Sequence, residues 1–190
     1  MSITANEVLD AKGLSCPMPI VKTKKAISNL KAGEVIEVQA TDKGSTADIK
    51  AWSESTGHQY IGTVEEGGVL KHYIRVASED EKKDEIKHDN VVGLNDLRKQ
   101  VEAKEVVSIL DVREPAEFAF GHIPGAINIP LDQLDVRLEE LDKERELYVI
   151  CRTGSRSDLA AQKLTAQGFN NVINVVPGMT KWEGPLEQNN

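Results

Sequence analysis

The residues best placed to do chemistry stand together in Cys151-Arg152-Thr153-Gly154-Ser155-Arg156-Ser157. An apolar run, Leu147-Tyr148-Val149-Ile150, leads in, and a helical pattern from Ser157 leads out. A strand ending on a cysteine, then a short polar loop, then a helix start, converges backbone N–H groups on one small space. The helix dipole adds roughly half a positive charge there. A nearby cation and a helix N-terminus both favour thiolate over thiol, so Cys151 is the expected nucleophile. Its basic surroundings suit an anionic substrate. In this reading Arg152 and Arg156 steer and hold the anion. Thr153 and Ser155 either donate hydroxyl hydrogen bonds or shape the turn, and Gly154 permits the backbone conformation the loop needs.

The second cysteine opens Cys16-Pro17-Met18-Pro19. Behind it Ile20, Val21, Ala26, Ile27 and Leu30 fall near helical spacing, with lysines on the other face. Pro17 suits the first helical position, which puts Cys16 at or beside the N-cap. The helix end, with Lys22, Lys24 and Lys25 farther along, is then expected to lower the pKa of Cys16. Pro17 and Pro19 stiffen the chain and keep the thiol exposed. Two cysteines so far apart fit two functional thiols in a reducing compartment better than a disulfide scaffold. His58, His72 and His88 have no partners at ligand spacing, so no metal site is expected.

The elements that must carry these groups fall into two sets. Val8–Ala11, a helix behind Cys16, Val35–Ala40, a helix over Thr46–Ser55, Gln59–Val64 and Leu70–Val76 give the order β-α-β-α-β-β, with a hairpin turn at Glu65-Glu66-Gly67-Gly68. That order predicts a small two-layer α/β domain over residues 1–77. Ser78–Asp89 is charged with one apolar residue, Ile86, and reads as a linker or as a helical extension of a neighbour. A flexible linker of that length has ends about 20 Å apart. From residue 90 strands and helices alternate: Val91-Val92, Leu94–Val101, Val106–Leu110, Glu114–Phe120, Ala126–Ile129, one or two helical turns within Leu131–Leu141, Leu147–Ile150, Ser157–Gln167, Val172–Val175 and a last turn at Met179–Trp182. This predicts a second α/β domain, 90–190, with a central parallel sheet covered by helices on both faces. Sites in such sheets lie beyond the carboxyl ends of the strands, where Cys151 stands.

The net charge of −8 and an aromatic content of 4% argue against nucleic acid as a partner. Lysine plus arginine balances aspartate plus glutamate over residues 1–77, while residues 78–89 and 90–190 carry all the net negative charge, which supports a boundary. No basic and apolar leader opens the chain, and no run approaches the ~20 apolar residues of a membrane span. The expectation is a cytoplasmic protein without a membrane partner.

The loop at Cys151 resembles the active-site loop of rhodaneses. So, in rhodanese order, do Asp111-Val112-Arg113-Glu114-Pro115-Ala116-Glu117-Phe118, the segment from Gly121-His122-Ile123-Pro124-Gly125 to Pro130, and Gly178-Met179-Thr180-Lys181-Trp182. The first half resembles the TusA/SirA-like sulfur carriers, on Cys16-Pro17-Met18-Pro19, Leu9–Leu14, Asp42-Lys43-Gly44-Ser45, Asp48-Ile49, Trp52 and Thr56-Gly57-His58. The likenesses imply a sulfurtransferase working through cysteine persulfides with no other cofactor. Cys151 takes sulfane sulfur from thiosulfate, polysulfide or glutathione persulfide, and Cys16 passes it to an acceptor thiol or a sulfur-relay protein. In rhodaneses the residues matching Asp111 and Arg113 look structural, often as an ion pair near the active site. His122 is expected to be a hydrogen-bonded loop residue rather than a base. Cysteine phosphatases have a longer loop of this kind, so the shorter spacing from Cys151 to Arg156 favours sulfur over tetrahedral phosphate. A different class of function, a redox sensor forming a reversible Cys16–Cys151 disulfide, uses the same two thiols.

Overall fold

The computed structural model describes residues 3–78, 87–105 and 107–189. The chain divides into two compact units, residues 2–80 and 81–190.

The first unit runs β1 (Glu7–Asp10), α1 (Met18–Ile27), β2 (Val35–Ala40), α2 (Ser45–Ser55), β3 (Gln59–Glu66) and β4 (Val69–Arg75). Its sheet has the order β1-β2-β4-β3, with β1 parallel to β2 and both other pairings antiparallel. Ile36 and Val38 of β2 and Ile74 of β4 meet Ala26 and Ile27 of α1 and Ile49 of α2 in one core. Both helices therefore cover the same sheet face, the two-layer arrangement that the βαβαββ order predicts. Burial along β2 does not alternate. Glu37 is buried among its apolar neighbours, because the cross-strand Tyr73 hydroxyl donates to its carboxylate at 2.8 Å and Gln39 Nε2 at 2.7 Å.

A buried polar chain ties β4 to α2. Ser45 Oγ donates to the carbonyl of Asp42 at 2.5 Å and so accepts from Nε2 of His72 at 3.1 Å. Nδ1 of His72 then accepts from the hydroxyl pair of Tyr60 (3.0 Å) and Thr63 (2.9 Å), which are hydrogen-bonded to each other, so that one of the two donates to the ring. Burial pushes the His72 pKa down from 6.5 to about 4. The folded unit thus holds a neutral ring where the unfolded chain binds a proton. Stability tied to His72 is fully present above pH 6.5 and is lost as pH falls toward about 4. The protection of amides in β2 and β4, corrected for the intrinsic exchange rate at each pH, is expected to fall through that window, and a His72→Gln variant to show a flatter dependence. Equal slopes in the two proteins would contradict this.

The second unit runs β5 (Val91–Gly93), α3 (Leu94–Glu102), β6 (Ser108–Asp111), α4 (Pro115–Phe120), β7 (Ile127–Asn128), two 3-10 turns (Leu134–Val136, Leu138–Glu140), β8 (Leu147–Ile150), α5 (Ser155–Ala166), β9 (Val172–Val176) and a 3-10 turn (Met179–Lys181). Its five strands are all parallel, in the order β5-β9-β8-β6-β7. All of β8 is buried, as a strand covered on both faces must be. Leu147, Val149 and Cys151 face the core shared with Ala160, Ala161 and Leu164 of α5, while Tyr148 and Ile150 face the core shared with Leu97 of α3. Cys151 thus stands at the carboxyl end of a fully enclosed strand.

Two boundaries differ from the sequence reading. Segment 79–86 of the expected linker lies outside the described residues, as does Val106. Lys87 and His88, assigned to the linker by composition, instead belong to the second unit. Their backbone N–H groups donate to Asp158 Oδ1 at 3.0 and 2.8 Å, and Nε2 of His88 lies 2.8 Å from the carbonyl of Val172. A buried carboxylate requires such donors, and composition alone does not reveal them. Helix α5 starts two residues before the predicted Ser157, because Gly154 turns the chain into it with φ +99°.

Candidate functional site

Cys151 is fully buried, and its sulfur is held by the loop that follows. The N–H of Gly154 donates to Sγ at 3.1 Å. The thiol lies 3.3 Å from the hydroxyl of Ser157, which itself donates to the carbonyl of Gly154. Ser155 opens α5, so the sulfur rests against the first turn of a helix. Arg152 and Thr153 form the exposed crest of the loop, with Ser155 half-buried below. Ser157 was read only as part of the motif. Its contact with Sγ follows from its place in the first turn of α5, below the loop.

The loop is held from behind. Met179 N–H donates to the carbonyl of Cys151 at 2.8 Å, and both the N–H and the hydroxyl of Thr180 donate to the carbonyl of Arg152 at 3.1 Å. The close approach needs glycine at 178, where φ is +96° and a Cβ would fall 2.6 Å from both carbonyl oxygens. A Gly178→Ala variant is expected to lose about a hundredfold in turnover, the scale of displacing a nucleophile by an ångström. Steady-state assay beside a thermal melt checks this; full turnover would mean that the loop does not depend on this contact.

Arg156 is placed differently from the sequence expectation. Its guanidinium is buried and forms a bidentate pair with Glu117 at 2.8 and 2.9 Å, with Glu114 at 3.9 Å. It joins the start of α5 to α4 rather than offering its charge to an anion on the loop. Glu117, which the sequence reading passed over, also accepts from the N–H of Glu114 in the capping box that starts α4. The E-P-A-E pattern at the start of α4 carries that signal. Asp111 and Arg113 form a buried pair: Nε meets both carboxylate oxygens at 3.0 Å, NH2 meets Oδ2 at 2.6 Å, and NH2 also donates to the carbonyl of Gly121 at 2.8 Å. They fix the chain after β6. Nδ1 of His122 lies 2.8 Å from the carbonyl of Phe118, and its ring stacks on Phe118.

Cys16 is exposed and lies outside α1, whose N-cap is Pro17, with Pro19 buried in its first turn. The pKa shift expected there is reversed. A hydrogen bond to Asp48, then burial, then the charges of Asp48 and Asp42 push the Cys16 thiol up. Lys22, counted on to lower it, reaches back to the carbonyl of Asp10 at 3.4 Å instead. Cys16, Pro19, Ile20, Asp42, Ser45, Asp48 and Ile49 line a narrow groove of about 170 Å³. Among the described residues no cluster of three or more His, Cys, Asp or Glu is placed to hold a metal ion, and no helix is long and apolar enough to cross a membrane.

Residues 7–76 match the family model described as Sulfurtransferase TusA, and residues 93–185 match that of the Rhodanese-like domain. Fold and sites together define a sulfurtransferase that joins a sulfur carrier domain to a rhodanese-like domain. The chain is 50% identical over 183 residues to "Putative sulfur carrier protein YrkF" of Bacillus subtilis, covering 96% of this chain and 98% of that one. It is 34% identical over 93 residues to "Sulfurtransferase" of Allochromatium vinosum, covering 49% of this chain and 87% of that one. A rhodanese-like domain protein of Staphylococcus aureus superposes with a TM-score of 0.50 at 31% identity, covering 53% of this chain and 99% of that one. The chain belongs to the family of two-domain proteins in which a TusA domain is followed by a rhodanese-like domain.

Proposed function

We propose that Cys151 takes sulfane sulfur from a small anionic donor, thiosulfate in the first instance, and that Cys16 receives it for delivery to another thiol or sulfur-relay protein. The Cys151 thiolate attacks the outer sulfur of thiosulfate. A new S–S bond forms, the old one breaks, and sulfite leaves with the electron pair. Cys16 then attacks the outer sulfur of the Cys151 persulfide and regenerates the Cys151 thiolate. No cofactor beyond the covalent persulfide takes part, and a reducing, cytoplasmic setting keeps both thiols available. The observation that carries this reading is the sulfur of Cys151 held by the Gly154 N–H at the head of α5, below the exposed, cationic Arg152. Polysulfide and glutathione persulfide fit the same attack.

The test is mass spectrometry of the intact protein and its peptides after brief exposure to thiosulfate, with thiols trapped by alkylation. One added sulfur on Cys151, followed in time by one on Cys16, is the expected result. Label confined to Cys151 would overturn the transfer between domains. A Cys16–Cys151 crosslink without added sulfur would replace the proposal with redox sensing.

A further inference from the structure

The two thiols sit in opposite electrostatic settings. Cys151 accepts a backbone N–H at a helix start, beside exposed Arg152. Cys16 lies in a groove whose charged lining residues, among the described ones, are Asp42 and Asp48, both half-buried, one just before α2 and one on it. Lys12 pairs with Asp10 at 3.4 Å, and Lys22 donates to the Asp10 backbone. A dianion such as thiosulfate approaching the exposed Cys16 meets the two carboxylates that line the groove beside it, and like charges at close range repel even through water. An uncharged donor, or a persulfide carried on another protein, avoids that penalty.

We propose that Asp42 and Asp48 are specificity-determining residues of the carrier site: they exclude small anionic donors from Cys16 and leave it open to a neutral or protein-borne persulfide. The inference rests on the reading of Cys16 as the sulfur acceptor. In the step itself the Cys16 sulfur attacks the outer sulfur of R–S–SH. The Cys16–S bond forms, the R–S bond breaks, and RS⁻ departs with the electron pair. The Cys16 proton passes to solvent. The outer sulfur keeps its own hydrogen, so Cys16–S–SH, RS⁻ and one released proton balance the starting groups in atoms and charge. The groove also explains a division of labour. Thiosulfate charges Cys151 and not Cys16, so sulfur reaches the carrier only after it has been separated from sulfite.

The test uses the full chain with Cys151→Ser, which leaves Cys16 as the single thiol. Alkylation rates with neutral iodoacetamide and anionic iodoacetate are compared in the folded protein and in urea. The folded protein is expected to favour iodoacetamide more strongly than the unfolded chain. Asp42→Asn and Asp48→Asn should each raise the relative iodoacetate rate about fivefold, the worth of one charge at close range in water. With both replaced, thiosulfate should begin to label Cys16 directly. Equal selectivity in folded and unfolded protein, or unchanged selectivity in the variants, overturns the proposal. Alkylation involves no sulfur transfer, so this readout fails independently of the relay. A missing Cys151-to-Cys16 transfer would sink the relay while leaving the selectivity of the groove measurable.

Discussion

A Cys151→Ser variant is expected to lose thiosulfate-dependent sulfur transfer by about 10⁴-fold or more, the scale of deleting a nucleophile. Cys16→Ser is expected to keep most of the transfer to a small acceptor while losing delivery to a protein thiol. Serine nearly matches cysteine in shape, so the buried site at Cys151 keeps its packing, and the Gly154 N–H finds oxygen where sulfur was. What is lost is the chemistry. A hydroxyl at neutral pH supplies almost no anion for attack on sulfur, whereas cysteine sulfur is an intrinsically strong nucleophile. A steady-state assay of sulfite release, run beside persulfide labelling, separates the two variants. Full activity in Cys151→Ser would move the reaction to Cys16, and equal loss in both would mean an obligatory two-thiol cycle. The redox-sensor alternative predicts instead an oxidant-induced Cys16–Cys151 crosslink in the parent chain and no sulfur on either thiol.

The parts of the fold legible in the sequence are those fixed by short-range pattern. The apolar run ending at Cys151 gave a buried strand, the alternation of strands and helices after residue 90 gave a parallel sheet, and the βαβαββ order before residue 77 gave a two-layer unit. The misread features depend on residues distant in sequence. Lowering of the Cys16 pKa was inferred from the proline and lysines beside it. Asp42 and Asp48, brought opposite by α2, set the opposite direction. Arg156 stood in a basic loop and was read as an anion ligand, while its partner Glu117 lies on α4, 39 positions earlier. The end of the linker was misplaced for the same reason, since Asp158 lies about seventy positions beyond the backbone it holds. Local charge counting assigns a sign to a loop. Only packing decides which charges are already spent on one another.

The Arg156–Glu117 pair supplies the largest expected effect on stability. Both side chains are buried and their two hydrogen bonds are short, so removing either partner strands the other away from water. Breaking such a pair costs about 3–5 kcal/mol, a large share of the roughly 5–15 kcal/mol that holds a domain folded. Arg156→Met is expected near the upper end, because Glu117 then loses its bidentate cation while staying buried. Glu117→Gln is expected near the lower end, because Glu114 at 3.9 Å can still take part of the arginine's charge. The double variant Arg156→Met/Glu117→Leu should recover much of the loss, since matched apolar groups in place of a buried pair are often neutral or better. Urea denaturation of these proteins, with Glu117→Leu added as the second single variant, closes a double-mutant cycle and measures the coupling. The same cycle distinguishes the pair from an anion ligand. If Arg156 held the donor, its replacement would raise the KM for thiosulfate with little change in the urea midpoint, and the Glu117 variants would leave KM alone. With the guanidinium committed to Glu117, the midpoint falls in both single variants, and the KM of whatever protein remains folded stays close to that of the parent.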